Sequence, residues 1–310
     1  MTTLAILILT LWTPETGTCT PLVHADVEDA PPGTTTGIPV LMYHHVSDPV
    51  NGYYGISTGR FRSDLAALDA AGFYLITPED LENGLMCVPG GRRPVMLTFD
   101  DGWEDNLSFT GSDLDPDCVL AILTDYCDEH PEFGDGATFF ISWDKVPFGV
   151  SEQVGEKLNM ILDLNCVVGN HTRRHASFLR LPREDWAASV LGAMDRFQRS
   201  LGLRTTQVST LAYPGGGFPR EPGAEELVAS FTYDGAQAVR MGFLANGSIS
   251  SFGTLLESPE GWYRIGRLDM SQYSVPEVLG WRNLMARSQA RDDLHDPLPW
   301  RMPPVDGERL

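Results

Sequence analysis

The sequence predicts an α/β fold with a parallel sheet, most simply closed into a (β/α) barrel. Between residues 38 and 275, short apolar runs alternate with segments of helical periodicity. The apolar runs are continuous, as expected for strands that are covered on both faces. The 310 residues, of which 42% are hydrophobic, suffice for one barrel-sized domain with its own core, although length alone also allows two smaller domains.

Six apolar runs are predicted as strands because they are short, continuous and separated by helical patterns or turn residues. They are residues 39–43, 94–99, 137–141, 165–168, 209–213 and 262–265.

Three helices are predicted between these strands. Thr58 is the predicted N-cap of the first, and Gly72 ends it. The second covers residues 117–130, and the third begins after Pro182. Apolar residues at helical spacing give each helix a face for the core. These residues are Phe61, Leu65 and Leu68 in the first, Val119, Ile122, Leu123 and Tyr126 in the second, and Trp186, Val190, Met194, Phe197 and Leu201 in the third.

The charge of the chain restricts its partners. Its 42 acidic and 22 basic side chains give a net charge of −20. Such a surface repels phosphate backbones and anionic headgroups, so we expect neither nucleic-acid binding nor a polybasic membrane contact. The longest apolar run, residues 4–12, is too short to span a bilayer, so no transmembrane segment is expected.

The same apolar run has the length of a signal-peptide core, although no Lys or Arg precedes it. The alternatives are a fragment of a first helix and a misplaced start codon. We expect export, to the cell exterior, the cell wall or the periplasm. The chain then divides into a signal peptide and linker at residues 1–36, one domain at 37–275 and an irregular extension at 276–310.

The cysteines leave two interpretations open. If Cys19 is removed with a leader, Cys87, Cys118, Cys127 and Cys166 remain, an even number that is compatible with disulfides. Buried thiols are the other reading. Their spacing matches no structural zinc site.

Polar residues follow the predicted strands at the rim where a barrel keeps its active site. Four of the seven histidines and a pair of aspartates lie there. They are His44 and His45 after the first strand, Asp100 and Asp101 after the second, and His171 and His175 after the fourth.

The rim residues suggest a catalytic metal centre. A spacing of four would put His171 and His175 on one face of a helical turn, close enough to hold one ion. Asp100 or Asp101 can add a carboxylate, which leaves a coordination position open for water, while the other aspartate serves as a base. The alternatives are a chance histidine pair and an acidic surface turn.

The motifs that contain these residues resemble those of a known family. Leu-Thr-Phe-Asp-Asp-Gly at 97–102 and Gly-Asn-His-Thr-Arg-Arg-His at 169–175 resemble the first two motifs of the polysaccharide deacetylases, the NodB-homology domain of carbohydrate esterase family four. Residues 137–141 and 211–215 also resemble this family, and the similarity extends over about residues 38–275. The resemblance implies a distorted (β/α) barrel and metal-dependent removal of N-acetyl or O-acetyl groups from sugars.

Carried over by motif, the resemblance implies that Asp101, His171 and His175 hold one divalent ion, expected to be zinc, and that Asp100 is the base. The usual late catalytic histidine is missing, since the one late histidine, His295, lies in the tail. Met-Tyr-His-His-Val at 42–46 is instead similar to the opening motif of a permuted subgroup that resembles poly-N-acetylglucosamine deacetylases. By that match His44 is the general acid, with a core histidine as the alternative, and His45 is expected to point away.

A further departure concerns the arginine that usually tethers the base. Ala212 occupies its place. Arg267 is the candidate substitute, and an ordinary surface ion pair is the alternative.

The expected reaction is hydrolysis of an acetyl group on a glycan by metal-activated water, with an Asp base and a His acid. Tyr213, Pro214 and Gly215 are expected at the substrate, with a backbone N–H near Tyr213 in the oxyanion hole. The competing hypotheses are a glycan-binding protein without turnover and an amidase for a small non-peptide C–N bond. The acidic insertion at 103–136 is a candidate lid or wall.

Overall fold

The computed structural model of the chain describes residues 37–85 and 87–280. The predicted signal peptide, most of the predicted extension and His295 therefore lie outside the described residues. Numbered in chain order, the strands are β1 Gly37–Ile38, β2 Val40–Tyr43, β3 Phe73–Leu75, β4 Arg93–Asp101, β5 Phe109–Thr110, β6 Asp113–Leu114, β7 Thr138–Ile141, β8 Val167–Asn170, β9 Thr210–Ala212, β10 Thr232–Tyr233, β11 Ala236–Gln237, β12 Met241–Phe243, β13 Ser250–Ser251 and β14 Leu268–Asp269.

Helices cover the sheet and link its strands. The α-helices are α1 Thr58–Ala70, α2 Pro78–Glu82, α3 Val119–Glu129, α4 Val154–Asp163, α5 Trp186–Leu201, α6 Ala224–Ala229, α7 Phe252–Glu257 and α8 Val275–Gly280. Short 3₁₀ helices are Glu104–Asn106, Pro131–Phe133, Ser151–Gln153, Arg183–Asp185, Gly202–Gln207, Pro214–Gly216 and Pro259–Tyr263. None of the described helices is both long and apolar enough to cross a membrane.

In the described part of the chain, eight strands form the main sheet, and all of its pairs are parallel. The order is β12-β9-β8-β7-β4-β2-β14, and β3 pairs with the first residues of β4. An isolated bridge from Phe243 in β12 to Ile265 joins one edge to the segment that leads into β14 at the other edge. The sheet is therefore curled so far that its two edges almost meet, connected by a single bridge where a closed barrel would have paired strands. This curled parallel sheet confirms the predicted distorted (β/α) barrel.

Alternation along β4 divides the core in two. Val95, Leu97 and Phe99 belong to the large cluster that includes the helices, whereas Met96 belongs to the smaller cluster inside the barrel. This alternation carries Asp100, four residues after Met96, toward the barrel interior. The strand thereby delivers a carboxylate to the inside of the curled sheet.

Most predicted elements are present, with two corrections. The predicted strand at 262–265 is wrong, because Pro259 begins a 3₁₀ helix there and the strand follows at Leu268–Asp269. Helix α1 is capped by Ser57, whose Oγ accepts from the N–H of Arg60 at 3.1 Å, and Thr58 is its first residue.

The end of the described chain and the cysteines complete the comparison. The predicted domain boundary at 275 falls at the start of α8, which buries Val275 and Val278 against the core. None of the four described cysteines forms a disulfide.

Candidate metal centre and active site

Asp101, His171 and His175 converge at the carboxyl ends of β4 and β8. Oδ1 of Asp101 lies 3.5 Å from Nε2 of His171 and 3.2 Å from Nε2 of His175. One ligand atom from each of the three residues lies within 4.8 Å of the others. Two imidazoles and one carboxylate are suitable donors for a zinc-class ion and leave a coordination position open.

The local backbone brings these side chains together. Asp101 ends β4 with φ at +77°, which breaks the strand alternation that would otherwise send its side chain after Phe99 toward the helices. Thr172 and His175 also have positive φ, at 69° and 51°, and no helical turn spans the two histidines. The predicted helical turn is therefore wrong, although the two rings do meet, with centroids 4.8 Å apart.

The hydrogen bonding of His171 favours a metal ligand. Its Nδ1 lies 2.8 Å from the carbonyl oxygen of Ala212, which can only accept, so this nitrogen donates and Nε2 carries the lone pair. Burial lowers the pKa of His171 despite the nearby aspartates, which makes the neutral form that binds a metal easier to reach. The residues present therefore fit a divalent ion.

The carboxylate of Asp101 is held ionised by its neighbours. Burial raises its pKa, but the hydrogen bond from His175 and the charges of His171 and His175 outweigh burial and lower it strongly. The same interaction raises the pKa of His175 against the effect of its own burial.

Asp100 is paired with Arg267. Nη1 and Nη2 of Arg267 donate to the two carboxylate oxygens at 2.6 and 2.8 Å. The guanidinium, 1% exposed, also donates from Nε to the carbonyl of Leu244. Burial raises the pKa of Asp100, but the charge of Arg267 and then of His171 lower it overall. The pair is buried and bidentate, unlike an ordinary surface ion pair.

His44 lies half-buried after β2, the strand that pairs with β4. Its Nδ1 is buried and has no hydrogen-bond partner among the described residues. The ring stacks on Tyr54 at a centroid distance of 5.0 Å and an angle of 26°. Aromatic packing, in place of a carboxylate, holds this histidine.

His45, which was expected to point away from the direction of His44, contacts two residues of the segment that follows Asp101. Its Nδ1 lies 2.6 Å from Oδ2 of Asp105, and its ring packs on Trp103 at 4.1 Å. The chain leaves the strand conformation after Tyr43, so strand alternation no longer governs residue 45.

Trp103 is a site residue that sequence reasoning did not assign. Its Nε1 donates to Oδ2 of Asp101 at 3.1 Å, while Oδ1 of Asp101 faces the histidines. The ammonium of Lys145 lies 3.1 Å from the centroid of the indole ring and 4.0 Å from Asp101. The sequence did contain a signal for this contact, because Trp103 is only two residues after Asp101, the proposed ligand.

Tyr213 cannot offer its own backbone N–H to an oxyanion, which narrows the expected donor near Tyr213 to its neighbours. Its backbone N–H donates to the carbonyl of Phe243 at 3.0 Å, and its buried hydroxyl donates to the carbonyl of Tyr263 at 3.1 Å. Pro214 has no N–H. Gly215 is the remaining donor of the three, and a Cβ there would lie 3.7 Å from Ser177, on the loop of His175.

The insertion at 103–136 contributes more than a lid or wall. It contains the hairpin of β5 and β6 and the helix α3. Val119, Ile122 and Leu123 of α3 are buried in the main core. The second half of the insertion is therefore part of the barrel's helical layer.

Comparison with known proteins agrees with these motifs. Residues 88–233 match the family model described as "Polysaccharide deacetylase". No curated protein matches the chain closely enough to be a relative.

Three solved structures share the fold. The Streptococcus pyogenes deacetylase PplD in complex with acetate is 18% identical with a TM-score of 0.58, and the alignment covers 80% of this chain and 98% of that one. IcaB from Ammonifex degensii is 22% identical with a TM-score of 0.57, covering 79% and 97%. A de-N-acetylase from Aggregatibacter actinomycetemcomitans is 15% identical with a TM-score of 0.53, covering 79% and 99%. At these identities the comparison shows a common fold.

Proposed function

We propose that the chain, which matches the polysaccharide deacetylase family model over residues 88–233, is a carbohydrate deacetylase of that family. It would be a metal-dependent hydrolase that removes N-acetyl groups from a polysaccharide or cell-wall glycan. The observation that carries the proposal is the meeting of Asp101, His171 and His175 beside the buried Asp100. A three-donor site next to a further carboxylate that is not itself a ligand is suited to hydrolysis with an activated water.

The metal would be held by Asp101 and Nε2 of both histidines. Zinc is the proposed ion because two imidazoles and a carboxylate are typical donors of catalytic zinc. When bound, such an ion supplies a Lewis acid that lowers the pKa of water and polarises the acetyl carbonyl. The chain supplies the remaining functions, namely a base, an acid and an amide donor.

Asp100 is the proposed base. Arg267 fixes both of its oxygens and keeps it ionised at neutral pH, so it is ready to accept a proton from the attacking water. The arginine comes from the segment before β14 instead of the place that Ala212 occupies. The position of the guanidinium in sequence differs from the family pattern, while its contact with the base supplies the tethering function.

His44 is the proposed acid. Its ring follows β2 at the same rim as the proposed ligands, next to the strand that carries Asp100. An amine leaves poorly as an anion, so a proton donor at the leaving nitrogen lowers the barrier. The N–H of Gly215 is the proposed donor to the oxyanion.

We also propose that the glycan lies outside the cytoplasm. The support is the apolar run at residues 4–12, which has the length of a signal-peptide core. Mass determination of the mature chain after expression in its host tests this, since retention of residue 1 would contradict cleavage.

Acetate release tests the proposed reaction. The purified chain is incubated with oligomers of N-acetylglucosamine and with O-acetylated glycans, before and after chelation and after zinc is restored. We expect acetate from the N-acetylated oligomers, loss on chelation and recovery with zinc. Binding of the oligomers without acetate release under any metal would favour a glycan-binding protein, and release only from small formamides or ureides would favour an amidase.

A further inference from the structure

Exposed apolar side chains gather at the rim of the barrel that holds the site. Six large hydrophobic side chains among the described residues are exposed, and all but Leu203 lie on loops that follow β2, β7 or β8. They are Val50, Tyr53, Tyr54, Val146, Leu179 and Leu203. Scattered apolar residues need no explanation, but a group at one rim indicates a surface that contacts a ligand.

The loop after β2 carries three of the six and has a closed structure. The N–H of Ser47 donates to the carbonyl of Ile56 at 3.1 Å, and the N–H of Ile56 donates to the carbonyl of His45 at 3.0 Å. Within the loop, a Cβ at Gly55 would lie only 2.1 Å from the carbonyl oxygen of Asn51, so the turn needs glycine there. The loop is thus a hydrogen-bonded platform for its aromatic residues.

Tyr53 and Tyr54 extend aromatic surface outward from His44. Tyr54 stacks on His44 and is 41% exposed, and the ring of Tyr53 meets that of Tyr54 edge-on at 5.0 Å. Tyr53 is 81% exposed, so core packing does not account for it. Tyr54 thus contacts both His44 and Tyr53, which links the exposed ring of Tyr53 to the proposed acid through two ring contacts of 5.0 Å.

We propose that Tyr53 and Tyr54 form a sugar subsite that stacks on a pyranose ring next to the acetylated ring. The C–H face of a pyranose is apolar and its edge carries hydroxyls, which matches an exposed phenol ring with a polar tip. The subsite makes an oligosaccharide a better substrate than a monosaccharide. This inference rests on the proposed function, because it takes the position of the reacting sugar from it.

Calorimetric titration tests the subsite. The full zinc-loaded chain carrying Asp100→Asn, which prevents consumption of the ligand, is titrated with N-acetylglucosamine and with its tetramer. Adding Tyr53→Ala should weaken tetramer binding by about three- to tenfold more than monomer binding, as expected for one aromatic contact. Tyr53→Phe should retain the affinity for the tetramer, because the ring remains.

Leu203→Ala is the matched control, since Leu203 is also exposed but lies away from the rim. It should bind both ligands like the parent chain. Unchanged tetramer affinity in Tyr53→Ala, or equal losses for monomer and tetramer, would overturn the subsite. Acetate release by the chain with Asp100 intact is measured separately, so tetramer binding that depends on Tyr53 without acetate release would reject the proposed reaction and keep the subsite.

Discussion

Trp103 touches the proposed metal centre without being a ligand. Its N–H binds the oxygen of Asp101 that faces away from His171 and His175. A partner of this kind orients a ligand, and its loss typically costs about 10- to 100-fold in metal affinity or activity. We therefore assign Trp103 a positioning role.

Trp103→Phe removes this N–H and retains an aromatic ring between His45 and Lys145. We expect zinc affinity, measured by competition with a chelating dye, to fall by about tenfold. Excess zinc should restore most of the kcat. A variant that binds zinc as tightly as the parent would remove the indole from the support of the metal centre.

His44 is tested through the leaving group. If His44 protonates the leaving nitrogen, His44→Ala should lower kcat on an N-acetyl oligomer by about 10²- to 10⁴-fold, with unchanged zinc content. An aryl acetate expels a phenolate that hardly needs a proton, so the deficit should shrink on that substrate. Equal deficits on both substrates would mean that His44 positions the substrate and does not act as an acid.

Among the secondary-structure elements, β4 and the segment before β14 are connected by the ion pair between the proposed base and an arginine. Asp100 on β4 and Arg267 before β14 are 167 residues apart and are both buried. Loss of one member of a buried pair leaves the other charge uncompensated, which typically costs about 3–5 kcal/mol. The ion pair is therefore expected to stabilise the fold as well as to take part in the proposed reaction.

A double-mutant cycle measures the coupling energy between Asp100 and Arg267. Arg267→Met and Asp100→Asn should each lower the free energy of unfolding, and the double variant should lose clearly less than the sum of the two. Urea unfolding gives the free energies, and acetate release should stay absent in the double variant. Additive losses would show that the two residues do not stabilise each other.

The elements also show what the sequence could predict. The strand ends at 43, 101 and 170 were predictable within two residues because their apolar runs are long enough to be recognised. Strands β3 and β12 were not predicted, because each has three residues, β3 directly follows the end of the predicted helix at Gly72, and Gly242 interrupts β12. The helical turn of His171 and His175 failed because spacing alone does not reveal that Thr172 and His175 adopt positive φ.

For the molecule as a whole, the reactivity of the cysteine thiols measures how well the core excludes solvent. Burial raises the pKa of Cys127 and of Cys166 to about 12, and Cys166 is almost inaccessible, whereas Cys87 is half-buried. At pH 8 a thiol with such a pKa is about one part in ten thousand thiolate, the reactive form.

Alkylation with iodoacetamide at pH 8, read by peptide mass spectrometry, should therefore label Cys87 well before Cys127 and Cys166. In urea all three should react at similar rates, which provides the control. Equal labelling of Cys87 and Cys166 in the folded chain would contradict the burial of Cys166 in the main core, directly before β8.

The way in which the last strand closes the barrel could not be predicted from the sequence. The motifs at 97–102 and 169–175 were sufficient to predict which residues meet at the proposed metal centre and which aspartate is the proposed base, since both motifs follow recognisable strands. The contact between Arg267 and Asp100 depends on where the last strand joins the sheet, which no local pattern encodes. The same holds for the N–H of Tyr213, which donates to the carbonyl of Phe243 in the neighbouring strand β12.

The two aspartates of β4 provide the most direct test of the central claim, hydrolysis at a metal held by Asp101, His171 and His175 with Asp100 as the base. Zinc per chain and acetate release from an N-acetylglucosamine oligomer are measured together for the parent, Asp100→Asn and Asp101→Asn. We predict that Asp100→Asn retains zinc and loses turnover, because a base need not be a ligand, and that Asp101→Asn loses both. Zinc lost in Asp100→Asn but kept in Asp101→Asn, or full acetate release by either variant, would contradict the account.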